Sequence, residues 1–438
     1  MSNLSITTKI FQQLSDSSGS VVPIAAKDTL SNCAITYIYD KKASKEDGKE
    51  RAIEEFGTEV VWIGGIPLLK KLFDKTIYKF FKADPDFDVR NLKKNASGKL
   101  ERLEFLAKNA KDAAQKETLE NILKSKKLQN MYKGLYVSKF ITATAATLAA
   151  LSGLIIYKQK TTQKELEQKF KQKALIENSA RKSGQFDKFF EKKNDVSFGN
   201  ALTTKMADFM FNPVKNMSIL DAGITTTRLA QARKGERLEI GFKEGFQIAF
   251  IYLLAKPIQK GLEAISNGVF KKPIKAEYQL LSNENFSKLM KAPDLGESIK
   301  TLLSKKDDEL LDYIFNNDNA LTKMLKISGE IPTIKKSDGI IDSLAHIELD
   351  DIRESTKNIS QLLEVTSTKI DKDQFLKQVK NFKAASVVLN ILIGAGAIGI
   401  LQPMLNIVLR KKNNNGETIN PAIKNMEQEM AQKFAFKG

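Results

Sequence analysis

The chain has 438 residues, enough for two or three folding units. Its 70 Lys and Arg against 52 Asp and Glu give a net charge of +18, yet only nine of those basic residues are Arg. A single cysteine, Cys33, and a single histidine, His346, rule out an intrachain disulfide and leave a Cys/His zinc site without ligands.

The lysine bias has a physical meaning. Arg presents a planar fork suited to phosphate and base edges, whereas Lys is a flexible point charge. A nucleic-acid reader needs Arg and aromatics interleaved on one face, so nucleic acid is not an expected partner. Attraction to anionic lipid headgroups fits the excess at least as well. An AT-rich genome would also produce a Lys-, Asn- and Ile-rich chain without any functional demand.

Residues 1–27 form a polar segment with no basic region leading into an apolar one, so no cleavable signal peptide is expected. A first helical unit is expected over 28–160. It opens on a short helix from Asp28, breaks at Ser44–Gly48, and resumes in EEFGTEVVWIGGIPLLKKLF. The uncharged core there, Val60–Leu69, is too short to cross a bilayer and suits an interfacial, re-entrant or buried helix. Asp84, Asp86 and Asp88 in DPDFD lack the calcium-loop spacing and read as caps and turns.

Residues 83–136 have the apolar spacing of soluble amphipathic helices. The 18 uncharged residues Phe140–Tyr157 then predict a transmembrane helix. Ala145, Ala149 and Gly153 fall four apart on it, a small-residue stripe suited to helix packing; a buried alanine-rich helix is the plainer alternative. A Lys-rich linker helix is expected over 161–199.

A second unit is expected over 200–410. It contains a short apolar core at Gly245–Ala255, polar helices over 262–382, and then Ala384–Leu409, 26 residues without a charge. As a helix this stretch would reach ~39 Å, against ~30 Å of hydrocarbon, and it predicts the second transmembrane helix. Gly394, Gly396 and Gly399 spell a literal dinucleotide fingerprint, but too few residues follow to complete a βαβ unit. Close helix packing is the expected role of these glycines. Residues 411–438 read as a polar tail with one short amphipathic helix.

Two regions are alike. Ser31–Thr36, Glu50-Arg51 and Glu59 precede the first short apolar core; Leu220–Thr225, Glu236-Arg237 and Glu244 precede the second. Each core is followed by polar helices and then a long apolar helix, the order an internal repeat would produce. Glu59 and Glu244 would then be equivalent carboxylates at a membrane boundary, the placement a transport site would need. A solvated carboxylate at a helix start is the commoner arrangement.

Together these features predict an all-α, membrane-associated protein with two long transmembrane helices, two short apolar helices and Lys-rich amphipathic regions, in a bacterial-type cytoplasmic membrane. Lysines flank both long helices on both sides, so sidedness is not fixed. No catalytic, cofactor or metal residues are assigned, because no nucleophile–base pair or ligand cluster is present. A non-enzymatic scaffold or interaction protein, with the bilayer and a second copy or another protein as partners, is the expected function. A small-solute or ion transport component and a soluble basic protein binding anionic partners are the alternatives.

Overall fold

Helices carry the architecture, and no strand occurs among the described residues of this computed structural model. Those residues are 21–38, 41, 45–61, 65–94, 98–110, 113–177, 213–233, 236–283, 285–328, 349–413, 416–418 and 420–435. His346 and the second half of the expected linker, from 178 on, lie outside them. The chain divides into two units, each assembled from three separate stretches.

The first unit comprises Met1–Ala25, Phe73–Ser138 and Leu253–Leu392. Its core is apolar. Helix α12 (Leu295–Ser304) buries Leu295, Ile299 and Leu302, a four-then-three spacing that makes one face. That face meets Ile352, Ile359 and Leu362 of α15 (Leu349–Ser367), with Leu310, Ile314, Leu321 and Leu325 closing the cluster. Each fully buried Leu or Ile contributes about 1.5–3 kcal/mol. Helices α4 (Glu101–Asn109) and α5 (Ala113–Lys124) pair through Leu103, Leu106, Leu119 and Ile122.

The short acidic motifs cap turns, as their spacing suggests. The Asp88 carboxylate accepts from the Arg90 amide at 2.9 Å and holds a 3-10 turn, Val89–Leu92. Asp371 accepts from the Gln374 amide at 2.9 Å at the start of α16 (Lys372–Gly396).

The second unit comprises Ala26–Leu72, Lys139–Tyr252 and Ile393–Gly438. It is entered through helix α1 (Val21–Asp28), whose first five residues belong to the first unit; α1 starts earlier than the sequence suggested, because Ile24 in VVPIAA supplies an apolar face, and it runs on as a π-helical stretch, Thr29–Thr36. The π-helical stretch pairs with α2 (Lys45–Val60) as a first hairpin, and α3 (Ile66–Phe73) follows. The second hairpin is α7 (Pro213–Ala230) with α8 (Arg237–Ile248).

Two helices are long and apolar enough to cross a membrane. The first is α6 (Lys126–Glu177), with Phe140–Tyr157 at its middle. Residues 161–177 continue it, because no Gly or Pro interrupts the sequence there. The second passes from α16 through a π-helical stretch, Ala397–Leu401, into α17 (Gln402–Asn413). Pro403 explains the widening. It has no amide proton and its ring crowds the carbonyl four residues back, at Gly399. The glycine fingerprint thus lies inside a helix.

Glycine governs the approaches within the second unit. A Cβ on Gly399 would stand 2.9 Å from Ile35 Cβ, and one on Gly394 would stand 3.0 Å from the Lys27 stem. Gly57 faces Leu154 and Gly223 faces Leu148 in the same way. Gly153 and Gly396 have nothing within 4 Å. Ala145, Ala149 and Gly153 are exposed, because α6 buries the neighbouring face of Ala143, Thr147 and Leu151 instead.

The order of elements recurs along the chain. A helical hairpin is followed by a short amphipathic helix, which is α3 the first time and α9 (Ala255–Gly268) the second. Polar helices follow, and then a long apolar helix.

Candidate functional site

The second unit buries charge, and α2 is where it starts. Glu50 and Glu54, and Glu55 and Glu59, are each four apart and the two pairs are adjacent, so one side of the helix is lined with carboxylates. Buried carboxylates need paired cations. Helices α6, α7 and α8, the turn after α7 and Arg51 of α2 itself supply them.

Arg228 of α7 is the hub, 6% exposed. Its guanidinium lies 2.5 Å from the Glu244 carboxylate of α8 and 3.0 Å from that of Glu54, and it donates to Thr58 Oγ1 at 3.2 Å. Lys243 Nζ lies 2.6 Å from Glu55, which also accepts from Arg51 at 2.6 Å. Arg233 makes a two-pronged contact with Glu50, at 2.9 and 2.6 Å, and a further bond to Glu236 at 2.5 Å. Lys158, at the end of the apolar part of α6, reaches Glu54 at 2.8 Å. Arg410, at the corresponding end of α17, forks onto Glu239 of α8.

These pairs set the local protonation. Although burial raises the Glu55 carboxyl, Lys243, Arg228 and Arg51 outweigh it and hold that group at about 2. Glu54 is likewise held well below its ordinary range by Lys158, Lys243 and Arg228 against the desolvation of burial. Arg228 is firmly cationic: burial opposes its charge, but Glu244, Glu54 and Glu55 prevail.

Three carboxyls are served by hydrogen bonds rather than ion pairs. Asp28 accepts from the Asn32 amide, whose oxygen accepts from Gln247 at 2.5 Å, and it shares a hydrogen bond with Glu59. Burial pushes Glu59 up to about 8, with Asp28 and the Glu55 charge adding to the effect. Asp221 accepts from the Tyr252 hydroxyl, and burial pushes it up to about 7. Burial and the surrounding carboxylates push the neighbouring Cys33 thiol up to about 12, so it is not a reactive thiolate.

The two carboxylates singled out in the sequence therefore differ. Glu244 is locked between Arg228 and Lys243, while Glu59 lies beside Asp28 and is pushed up by burial. Neither begins a helix. Glu59 is near the end of α2, and Glu244 is two turns into α8, where the side chains are 9% and 5% exposed. The solvated-cap arrangement fails because both helices start well upstream.

Sequence reasoning gave no site role to Asp28, Arg51, Glu54, Glu55, Lys158, Asp221, Arg228, Arg233, Lys243 and Tyr252. One signal was present: four of the nine arginines, Arg51, Arg228, Arg233 and Arg410, belong to this network. In a lysine-dominated chain, the few planar forks mark buried pairing.

Chemically, the arrangement fixes charge, and burial favours the protonated forms of Glu59 and Asp221. Among the described residues no group of three or more His, Cys, Asp or Glu is placed to hold a metal ion. No family model matches the chain, and no curated protein or solved structure does either.

Proposed function

We propose that this is an integral membrane protein, spanning the bilayer with Phe140–Tyr157 and Ala384–Leu409 and acting as a non-enzymatic scaffold or interaction protein. The observation that carries the reading is where the apolar side chains point. The core helix of a soluble protein is mostly buried, yet the most apolar windows of the two candidates are only 22% and 44% buried within the chain. Ile141, Leu392, Ile393, Ile400, Leu401, Met404 and Val408 project outward. An exposed apolar band of this extent needs a partner, and lipid is the one its length fits.

The polar residues of the second span support the same reading. Asn390 is turned inward, its amide donating to the Ala255 carbonyl at 2.9 Å. Gln402 and Asn406 are buried as well. Polar groups facing protein and Leu and Ile facing out is the pattern of a lipid-embedded helix.

The test is Ile393→Lys. Ile393 is 43% exposed, so its lysine would face lipid, at a cost of about 3 kcal/mol. Alkaline carbonate should then extract the variant while the natural protein stays in the membrane pellet. A natural protein found soluble from the start would end the membrane reading.

A second reading is favoured by the Asp28–Glu59 contact. An internal repeat in which Lys158–Glu54 and Arg410–Glu239 are equivalent ion pairs would make this chain a transport component, with Asp28 and Glu59 holding an exchangeable proton. In vesicles carrying a pH-sensitive dye, an imposed pH gradient should collapse faster with the natural protein than with Glu59→Gln. Equal rates would dismiss proton coupling and leave the scaffold.

A further inference from the structure

Two groups of exposed apolar residues in the first unit lie at helix ends built alike. The helical run that follows α3 ends at Phe80-Phe81-Lys82, and α9 runs out at Val269-Phe270-Lys271. Lys82 and Lys271 have φ of 52° and 53°, the two positive-φ residues other than glycine among those described. A left-handed residue just past a helix usually is glycine, and lysine there carries a steric cost.

The backbone closes both ends. Ala83 N–H donates to the Tyr78 carbonyl at 3.0 Å, and Lys272 N–H donates to the Ser266 carbonyl at 3.0 Å. This reversal turns the following chain away and leaves the preceding side chains at the tip. Phe80 is 80% exposed and Val269 70%, with Ile77, Phe81, Ile265 and Phe270 also outward. Phe80 and Phe81 meet edge to face at 5.2 Å, so the first tip is a formed aromatic wedge.

Lysines adjoin both tips in sequence. Lys75, Lys79 and Lys82 flank the first, and Lys271, Lys272 and Lys275 follow the second, although Lys272 Nζ is turned to Gln378 and the Phe375 ring. Asp74, Asp84 and Asp86 stand near the first, although the Asp84 carboxylate is turned to the Asp86 amide at 2.9 Å. Glu263, the acidic residue of α9, is engaged by Lys383 at 3.5 Å. Aromatic and aliphatic side chains adjoined by lysine are the composition of a surface that sits at the lipid headgroup level. A protein partner would be expected to meet a mixed rim rather than lysine on each flank.

We infer that the Phe80-Phe81-Lys82 and Val269-Phe270-Lys271 tips are interfacial anchors, inserting shallowly into a bilayer rich in anionic headgroups. The inference rests on the membrane reading but makes a separate claim about depth and lipid charge.

Single tryptophans test it. In a Trp62→Phe background, Phe80→Trp, Phe270→Trp and Ile393→Trp would each be reconstituted into phosphatidylcholine–phosphatidylglycerol vesicles containing lipids brominated near the headgroup or near the chain end. The expected result is at least twofold stronger quenching of Trp at 80 and 270 by the shallow bromines, with the reverse for Trp at 393. Replacing phosphatidylglycerol with phosphatidylcholine should weaken quenching at 80 and 270 and leave 393 unchanged. Deep quenching at 393 with none at 80 and 270 would overturn the anchors alone, whether solvent, a protein or another part of the chain covers them. Quenching at the tips that ignores lipid charge would overturn the anionic preference. No quenching at any position would overturn the membrane reading itself.

Discussion

At the scale of single residues, Arg228 carries the largest local consequence. It touches carboxylates from α2 and α8 together, so its removal leaves Glu54 and Glu244 short of a cation in a buried setting. Breaking a buried pair from one side costs about 3–5 kcal/mol, because the abandoned charge stays desolvated. Arg228→Ala should lower the unfolding temperature of the detergent-solubilised protein accordingly. Arg228→Lys should recover only part, since a point charge cannot serve three acceptors in a plane. An unchanged melting temperature in Arg228→Ala would mean the network is not formed.

Glu59 and Asp221 set the pH dependence at the same scale. Both fold with raised values, about 8 and about 7 against ordinary values of 4.5 and 3.8. The folded state therefore binds protons more tightly than the unfolded one. The stability they contribute is complete below the ordinary carboxylate range and is lost as pH rises through the folded values. Glu55, held at about 2, works in the opposite direction: its contribution is present above 4.5 and lost as pH falls toward 2. The unfolding free energy should then be highest near pH 5 and decline toward pH 8, by up to about 1.4 kcal/mol per pH unit for each proton released, and the melting temperature should follow it. Glu59→Gln removes its share of that decline. A natural protein whose stability is flat from pH 5 to 8 would contradict the burial of these two carboxyls.

At the scale of helices, glycine separates contacts that look identical in sequence. Gly394, Gly396 and Gly399 are equally suited to close packing, and so is Gly153. The contacts divide them, since Ile35 stands against Gly399 and nothing stands against Gly153 or Gly396. Gly399→Ala pushes into Ile35 Cβ, Cγ2 and Cδ1 together and should destabilise by about 1–3 kcal/mol. Gly153→Ala meets empty space and should stabilise by up to about 1 kcal/mol through helix propensity. Thermal unfolding of the two variants decides it, and equal effects would show that the Ile35 approach is absent.

The apolar helices were legible because a run such as Ala384–Leu409 announces itself over many residues. The π-helical widening was half legible, through Pro403. The network was not legible, because Glu54 and Arg228 belong to segments that read as ordinary helix, and Lys158 and Lys243 read only as the charged edges of apolar runs. Only tertiary contact distinguishes them from the chain's many other lysines and glutamates.

For the whole chain, the pairing within the second unit joins early sequence to late sequence. Glu50, Arg51, Glu54 and Glu55 precede residue 100, whereas Arg228, Arg233, Lys243 and Glu244 follow residue 200. Arg233–Glu50, Arg228–Glu54, Lys243–Glu55 and Gln247–Asn32 all cross between these stretches. Two helical hairpins that evolved by duplication would meet in this way, each completing the charge balance of the other. If so, the covalent connection is dispensable. Residues 1–199 and 200–438 expressed as separate chains should assemble in the membrane and co-purify in detergent when only one carries a tag. Buried pairs are poorly screened, so about 0.5 M salt should leave the assembly intact, whereas Arg228→Ala combined with Lys243→Ala should reduce recovery of the untagged half severalfold. Halves that never co-purify would show that each folds around its own charges, and the pairing of Arg228 with Glu54 and of Lys243 with Glu55 would have to be abandoned.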